Sequence, residues 1–376
     1  MQFKDIRIHE QQMRIWQTML DKEVFPHTVM LSGLTEHGSL YTAFRLAQRM
    51  LCGENEQCLT QTGKLIHPDL YFVYPSVALK SGSGASSENF QMHWREYFPG
   101  HPFGNYSDWM KFLDAGNKQG IIRVQDAENV MRFAYRYPVS APVKAVIIWL
   151  SEKMNGETAN KLLKVLEEPP ENTYFILVTE NEEQNLETVR SRCVIYRIPP
   201  VPPGEMIENL QRIYQILPAR AKEIAYASEG NWRKAEDIIN DKDPYETFKD
   251  YFVRWMRIAW KAGKQKSAIN DLTAWTEEIA AESKSFQSDF LKFAMETIRQ
   301  AYMWQQGATE LVHLNFDKQN FEMTRFAPFI RDDNIDTFYR LLNEASYHLV
   351  RNANPKTTFL DLSIKVTRLL ILASRK

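Results

Sequence analysis

The chain has 376 residues, 44% hydrophobic and 25% charged, with a formal net charge of −1. That length suggests two or three domains of ordinary globular composition. The balanced charge excludes a global basic field for nucleic acid, so any DNA contact must be local or come from partners. No apolar run reaches the roughly 20 residues that a membrane span needs. The N-terminal residues show no signal-peptide core. Three cysteines, an odd number, suggest a reducing compartment rather than a disulfide framework. The expectation is a cytoplasmic protein with no membrane partner.

In chain order, five short runs rich in β-branched and aromatic residues predict buried strands: 28–32, 70–74, 145–150, 174–179 and 194–198. Helical patterns separate them at 40–51, 124–135 and 156–167, with a short one at 186–190. Strands alternating with helices imply an α/β core, a parallel five-stranded sheet with flanking helices. Pro169 and Pro170 end the third helix, because proline cannot continue the hydrogen-bond ladder.

Between the second strand and the second helix lies an insertion, about 76–120, that reads as irregular. It opens with the linker-like run Ser81 to Ser87. It continues through Trp94, Tyr97, Phe98, Phe103, Tyr106, Trp109 and Phe112. These aromatics are expected to fold back on the core, with a partner surface as the alternative. Prolines 199, 200, 202 and 203 close the core near residue 200. A small helical lid, 201–243, follows. The remainder, 244–376, has apolar spacings of three and four, as in Phe248, Tyr251, Phe252 and Trp255, or Phe338, Leu341, Leu342, Ala345 and Leu349. It predicts an all-helical collar or oligomerisation domain.

Gly33 to Leu40 sits between the first strand and the first helix, the context of a phosphate-binding loop. A working loop reads G-x-x-x-x-G-K-[ST], its lysine neutralising phosphate and its hydroxyl holding magnesium. After Gly33 and Gly38 this chain has Ser39 and Leu40 instead. Each loss is worth roughly 1.5–3 kcal/mol, together about two to four decades of magnesium-nucleotide affinity. Glu36 adds a negative charge where a polyphosphate would lie. The third strand should end in an acidic pair, but ends in Ser151 and Glu152. The glycines then serve a strand-to-helix turn, with weak anion binding at the helix N-terminus still open.

The helix Lys161 to Glu168, the double proline, the fourth strand and the tripeptide Ser191-Arg192-Cys193 occur in an order that resembles clamp-loader subunits of the AAA+ family. Further matching segments are His67-Pro68-Asp69, Ile122-Arg123-Val124 and Lys153-Met154-Asn155. The combined order is similar to the delta-prime family of bacterial DNA polymerase III clamp-loader subunits. The likeness runs through the first 200 residues and is architectural beyond them. It implies a hetero-oligomeric ring with tau/gamma ATPase subunits and a delta subunit, which opens the sliding clamp and loads it on primed DNA. Direct clamp contact by this chain is expected to be weak. It also implies that Arg192 acts as an arginine finger in trans on a tau/gamma ATP site, with Ser191 and Cys193 shaping its loop. Arginine suits that role by its fixed charge and planar fork.

Thr179 matches a polar sensor position, and Arg233 or Lys234 lies near a second-sensor position without an assigned role. Relatives often bind zinc through four cysteines. This chain has only Cys52 and Cys58 in that region, and His67 and His93 lack a pairing spacing, so no zinc is expected. His67 is read instead as shaping its His-Pro-Asp turn. The chain is thus expected to be ATPase-dead by itself, with no cofactor and ATP binding absent or weak. The alternatives are an ATPase that binds nucleotide in cis through unusual contacts, and a scaffold with a decayed core that would tolerate loss of Arg192.

Overall fold

A computed structural model describes residues 6–78, 85–116, 118–240, 242, 244–265 and 267–374. The strands are β1 (Thr28–Ser32), β2 (Leu70–Val73), β3 (Lys144–Trp149), β4 (Thr173–Thr179) and β5 (Val194–Arg197). They form one sheet in the order β2-β3-β4-β1-β5. Every neighbouring pair is parallel, with Thr28 opposite Phe175, Val29 opposite Val194 and Leu70 opposite Ala145. Parallel pairing requires crossovers, and helices supply them.

The first unit of the chain, Met1–Glu236, holds this sheet with α1 (Glu10–Asp21), α2 (Ser39–Cys52), α3 (Glu56–Gly63), α4 (Gln91–Gly100), α5 (Tyr106–Phe112), α6 (Val124–Ala134), α7 (Gly156–Glu167), α8 (Glu187–Arg190), α9 (Pro203–Tyr214), α10 (Pro218–Ala227) and most of α11 (Trp232–Ile239). The expected lid helices up to Glu236 therefore belong to the same compact unit as the sheet. Period-2 alternation sorts the central strands. Met30, Val146, Ile148, Phe175 and Leu177 bury one face against α6 and α7, whose Val130, Phe133, Leu162 and Val165 complete that core. On α2, Leu40, Phe44 and Ala47 are fully buried; this helix packs on β3, β4 and β1.

The helix limits follow from local chemistry. Asn155 caps α7, its side chain accepting the Thr158 N–H at 2.8 Å. Thr28 Oγ1 donates to Leu166 O at 2.8 Å, which ties the end of α7 to β1 just before the double proline. Lys144 is almost fully buried, its ammonium donating to the last carbonyls of α6, those of Phe133 and Ala134, and to that of Arg136 just beyond it.

The insertion is helical rather than irregular, a correction to the sequence reading. Trp94 and Trp109 are spaced for the buried faces of α4 and α5. Trp94 stacks on Tyr74, centroids 4.2 Å apart, and lies 5.3 Å from Trp149. Trp109 Nε1 donates to Pro75 O at 2.7 Å. The aromatics thus fold back on the core. Positions 81–84 of the linker-like run lie outside the described residues. Ser87, at its end, is buried and donates through N–H and hydroxyl to the Asp126 carboxylate, both at 2.7 Å.

The second unit, Asp237–Lys376, is helical among the described residues: α12 (Tyr245–Ala262), α13 (Ala268–Ala281), α14 (Lys284–Gln305), α15 (Met323–Phe326), α16 (Ile335–Val350) and α17 (Pro355–Ser374). Trp255 and Trp275 stack at 5.2 Å in its core, and Trp255 Nε1 donates to Ser363 Oγ at 2.9 Å. Phe338, Leu341, Leu342, Ala345 and Leu349 all lie buried on α16. No helix among the described residues is long and apolar enough to cross a membrane.

Candidate functional site

The loop between β1 and α2 is closed by the chain itself. Its middle, Thr35–His37, is a 3-10 turn. The N–H groups of Gly33, His37 and Gly38 donate to the carbonyls of Thr179, Leu34 and Thr35, and that of Thr35 to Glu180 Oε1 at 3.2 Å. Gly33 is required by space, since a Cβ there would stand 2.5 Å from Ile198 O. Gly38 has φ +90°, and a Cβ there would meet Ile8 at 2.3 Å and Phe103 at 3.2 Å. Ser39 and Leu40 are fully buried in the first turn of α2, and Ser39 Oγ has no hydrogen-bond partner among the described residues.

Glu36, at the crest of the turn, is held from two sides. Asn105 of the insertion donates to Oε1 at 2.7 Å and Asn231 of the lid to Oε2 at 3.2 Å. Arg233 of the lid stands 3.6 Å from the same carboxylate and bonds Asp108 of the insertion at 2.9 Å. Beside this cluster, Phe103 stacks on Trp232 of α11 and meets the tilted ring of Tyr41 of α2. The chain before α1 closes the arrangement. His9 Nε2 bonds His37 O at 2.9 Å, and the His9 and Glu10 N–H groups donate to Glu205 of α9. Burial holds the His9 and His37 imidazoles below their ordinary pKa. Lys234 takes no part here beyond its backbone N–H, which bonds Asn231 Oδ1 at 2.9 Å.

At the end of β3, Ser151 Oγ donates to Asn185 Oδ1 at 2.8 Å, and Asn185 in turn donates to Thr179 Oγ1 at 2.9 Å. The sensor-position threonine is therefore engaged within the chain. Glu152 accepts the Glu180 N–H at 3.2 Å, while its other oxygen is buried with no hydrogen-bond partner among the described residues. Burial pushes the Glu152 carboxyl above its ordinary pKa, against the lowering effect of a Thr179 hydrogen bond.

Arg192 lies on the turn between α8 and β5. Its Nε donates to Glu167 Oε2 at 2.8 Å, Nη2 stands 2.7 Å from the same oxygen in an ion pair, and Nη1 donates to Thr188 O at 2.9 Å. Its side chain is 28% exposed. Ser191 Oγ donates to Thr188 O at 3.2 Å and Cys193 Sγ to Val189 O at 3.3 Å. Burial pushes the Cys193 thiol up to about 12, which leaves it structural rather than nucleophilic. Arg190, two residues earlier, has a buried Nε with no hydrogen-bond partner among the described residues.

Cys52 and Cys58 are joined by a disulfide, Cα atoms 5.3 Å apart. This corrects the expectation of cysteines without disulfides. The turn at Gly53, φ +52°, brings the end of α2 within bridging distance of the start of α3. His67 Nδ1 accepts the Asp69 N–H at 3.2 Å, and the Asp69 carboxylate accepts N–H bonds from Val139, Ser140 and Ala141. The His-Pro-Asp turn thus anchors the loop before β3. His93 packs on Phe90. Among the described residues no cluster of His, Cys, Asp and Glu has metal-binding geometry.

Two sites were incompletely legible. Phe103, Asn105 and Asp108 carry no motif that would place them over the loop; only the aromatic density of their segment set them apart. Glu167 was visible only as the end of its helix.

The parallel sheet, the loop after its first strand and the helices packed beside that loop define a core of the AAA+ type. Residues 8–202 match the family model described as DNA polymerase III, delta subunit. That is more than half of the chain, and the chain belongs to this family. It is similar to DNA polymerase III subunit delta' of Yersinia pestis, 26% identical over 214 residues, covering 55% of this chain and 58% of that protein. The delta' subunit of Pseudomonas aeruginosa is 31% identical over 127 residues, 34% of this chain and 38% of that one. Replication factor C small subunit 1 of Pyrobaculum islandicum is 32% identical over 133 residues, 34% of this chain and 40% of the relative. The matches thus span less than two thirds of these relatives. A solved gamma subunit-related protein of Thermotoga maritima aligns over 97% of this chain and 99% of its own, at 14% identity and TM-score 0.32, a likeness too loose to bear on function.

Proposed function

We propose that this chain is a delta-prime-type clamp-loader subunit that does not hydrolyse ATP and supplies Arg192 in trans to the ATP site of a neighbouring tau/gamma-type subunit. In this reading it works in a ring with tau/gamma and delta subunits. ATP turnover there drives the sliding clamp onto primed DNA, and this chain meets clamp and DNA chiefly through the assembled complex. It holds no zinc and works in the cytoplasm.

The observation that carries the reading is the closed loop. A phosphate loop works by aiming free N–H groups at the anion. Here the Gly33, Thr35, His37 and Gly38 N–H groups already donate within the chain. Arg233 is paired with Asp108 and stands beside Glu36. A magnesium polyphosphate would meet the Glu36 carboxylate in place of the missing lysine, and the buried Leu40 in place of a metal-binding hydroxyl. These residues do not fit a magnesium nucleotide. Arg192, by contrast, lies partly exposed on a turn braced by Ser191 and Cys193, as donation to a neighbour requires.

Titration of the isolated protein with magnesium-ATP tests the first half of the reading. No binding below about 1 mM is expected, and micromolar affinity overturns it. The second half is tested by Arg192→Ala in the reconstituted loader, where ring assembly is retained and ATP turnover falls.

A further inference from the structure

We propose that Glu167 is the positioning residue for Arg192, an inference that rests on the trans-finger reading above. A guanidinium has five N–H donors in a rigid plane. Glu167 Oε2 accepts the Nε hydrogen and pairs with Nη2 at 2.7 Å, and Thr188 O takes one hydrogen from Nη1. Each terminal nitrogen keeps at least one N–H outside these bonds, and one from each is what an end-on grip of a phosphate through two parallel bonds needs. The carboxylate thus holds the arginine by its side edge and leaves its working end open.

Both ends of the contact are built on fixed backbone. Glu167 closes α7 immediately after buried Leu166, whose carbonyl accepts the Thr28 hydroxyl, and just ahead of Pro169 and Pro170. Arg192 follows fully buried Val189, whose carbonyl accepts both the Arg192 N–H and the Cys193 thiol. The helix that ends in two prolines and the Ser-Arg-Cys turn therefore meet in one device, although 25 positions separate the paired residues.

Glu167 is 57% exposed, and a pair this open adds little to stability. Its effect is on direction. A freed arginine samples many rotamers, and a misdirected group in a transition state loses rate steeply. Storage makes the opposite prediction: if Glu167 only competes with phosphate for the guanidinium, deleting it speeds the reaction.

The test is steady-state ATP turnover by the complete loader, with cognate ATPase and delta-type subunits, clamp and primed DNA, carrying Glu167→Ala, Glu167→Gln or Arg192→Ala in this chain. Glu167→Ala is expected to lower kcat about three- to tenfold with KM for ATP nearly unchanged. Glu167→Gln, which keeps an acceptor oxygen, should fall between it and the unaltered protein. Thermal melting of the free Glu167 variants should match that of the parent. A kcat at or above the parent's in Glu167→Ala, with the ring assembled and Arg192→Ala impaired, overturns the positioning role alone. Full turnover in Arg192→Ala overturns the finger reading and the inference with it.

Discussion

Phe103 lies flat against Trp232, ring centroids 4.7 Å apart and planes 15° from parallel. The contact joins the insertion to the lid directly over Gly38. Both side chains are almost fully buried, so either truncation to alanine should cost about 3–5 kcal/mol in urea unfolding. A double-mutant cycle should return a coupling of about 0.5–1.5 kcal/mol for the stacked pair. Zero coupling would mean that the insertion and the lid are held independently.

Restoring the missing loop residues should not restore the loop. Ser39 and Leu40 are sealed in the first turn of α2, so Ser39→Lys with Leu40→Thr overfills one site and puts a hydroxyl into apolar packing at the other. A loss of about 1–3 kcal/mol is expected, with no magnesium-ATP binding below about 1 mM. Calorimetric titration checks this, and micromolar binding by the double variant would show that the loop can open.

Glu152 makes a pH-dependent prediction. Burial raises its carboxyl above the ordinary 4.5, so folding favours the protonated form. The stability it contributes is fully present below about pH 4.5 and is lost as pH rises through the raised folded value. Glu152→Gln keeps an acceptor for the Glu180 N–H and carries no charge. It should stabilise the protein at pH 7, with the gain vanishing near pH 4. Urea midpoints at the two pH values decide it. A destabilised variant at pH 7 would mean that the carboxylate is held by a charge partner.

The cysteines can be read by alkylation. With Cys52 and Cys58 joined and Cys193 half-buried with its thiol pushed up to about 12, the native oxidised protein should take up little iodoacetamide at pH 8. Mild reduction should expose Cys52 and Cys58 to labelling while Cys193 stays unmodified until unfolding. Labelling of the pair before reduction would show that the bridge does not form.

The sheet was legible because its strands are short apolar runs between helical patterns, and the double proline marked the end of α7, at Glu167, to within two residues. The loop's departure from the phosphate-binding pattern was legible because Ser39 and Leu40 stand where that pattern has lysine and a hydroxyl, at fixed offsets from Gly33 and Gly38. What occupies the space over the loop was not. Phe103, Asn105 and Asp108 reach it only once α4 and α5 have folded, and Trp232 and Arg233, the partners of Phe103 and Asp108, follow more than 120 positions later. Glu167 and Arg192 raised the same difficulty. Each stood in a recognisable segment, yet their contact depends on α7 and α8 packing side by side. The Cys52–Cys58 bridge turned on the conformation at Gly53, which spacing alone does not fix.

The central claim is that Arg192 works on a neighbour's nucleotide while this chain binds none of its own. Turnover by the reconstituted loader with Arg192→Ala and Arg192→Lys tests it most directly, because lysine keeps the charge but loses the fork. Both variants should assemble normally, and clamp- and DNA-stimulated ATP turnover should fall about tenfold or more in the alanine variant, with lysine giving only partial recovery. Turnover equal to the parent's in both assembled variants would contradict the account.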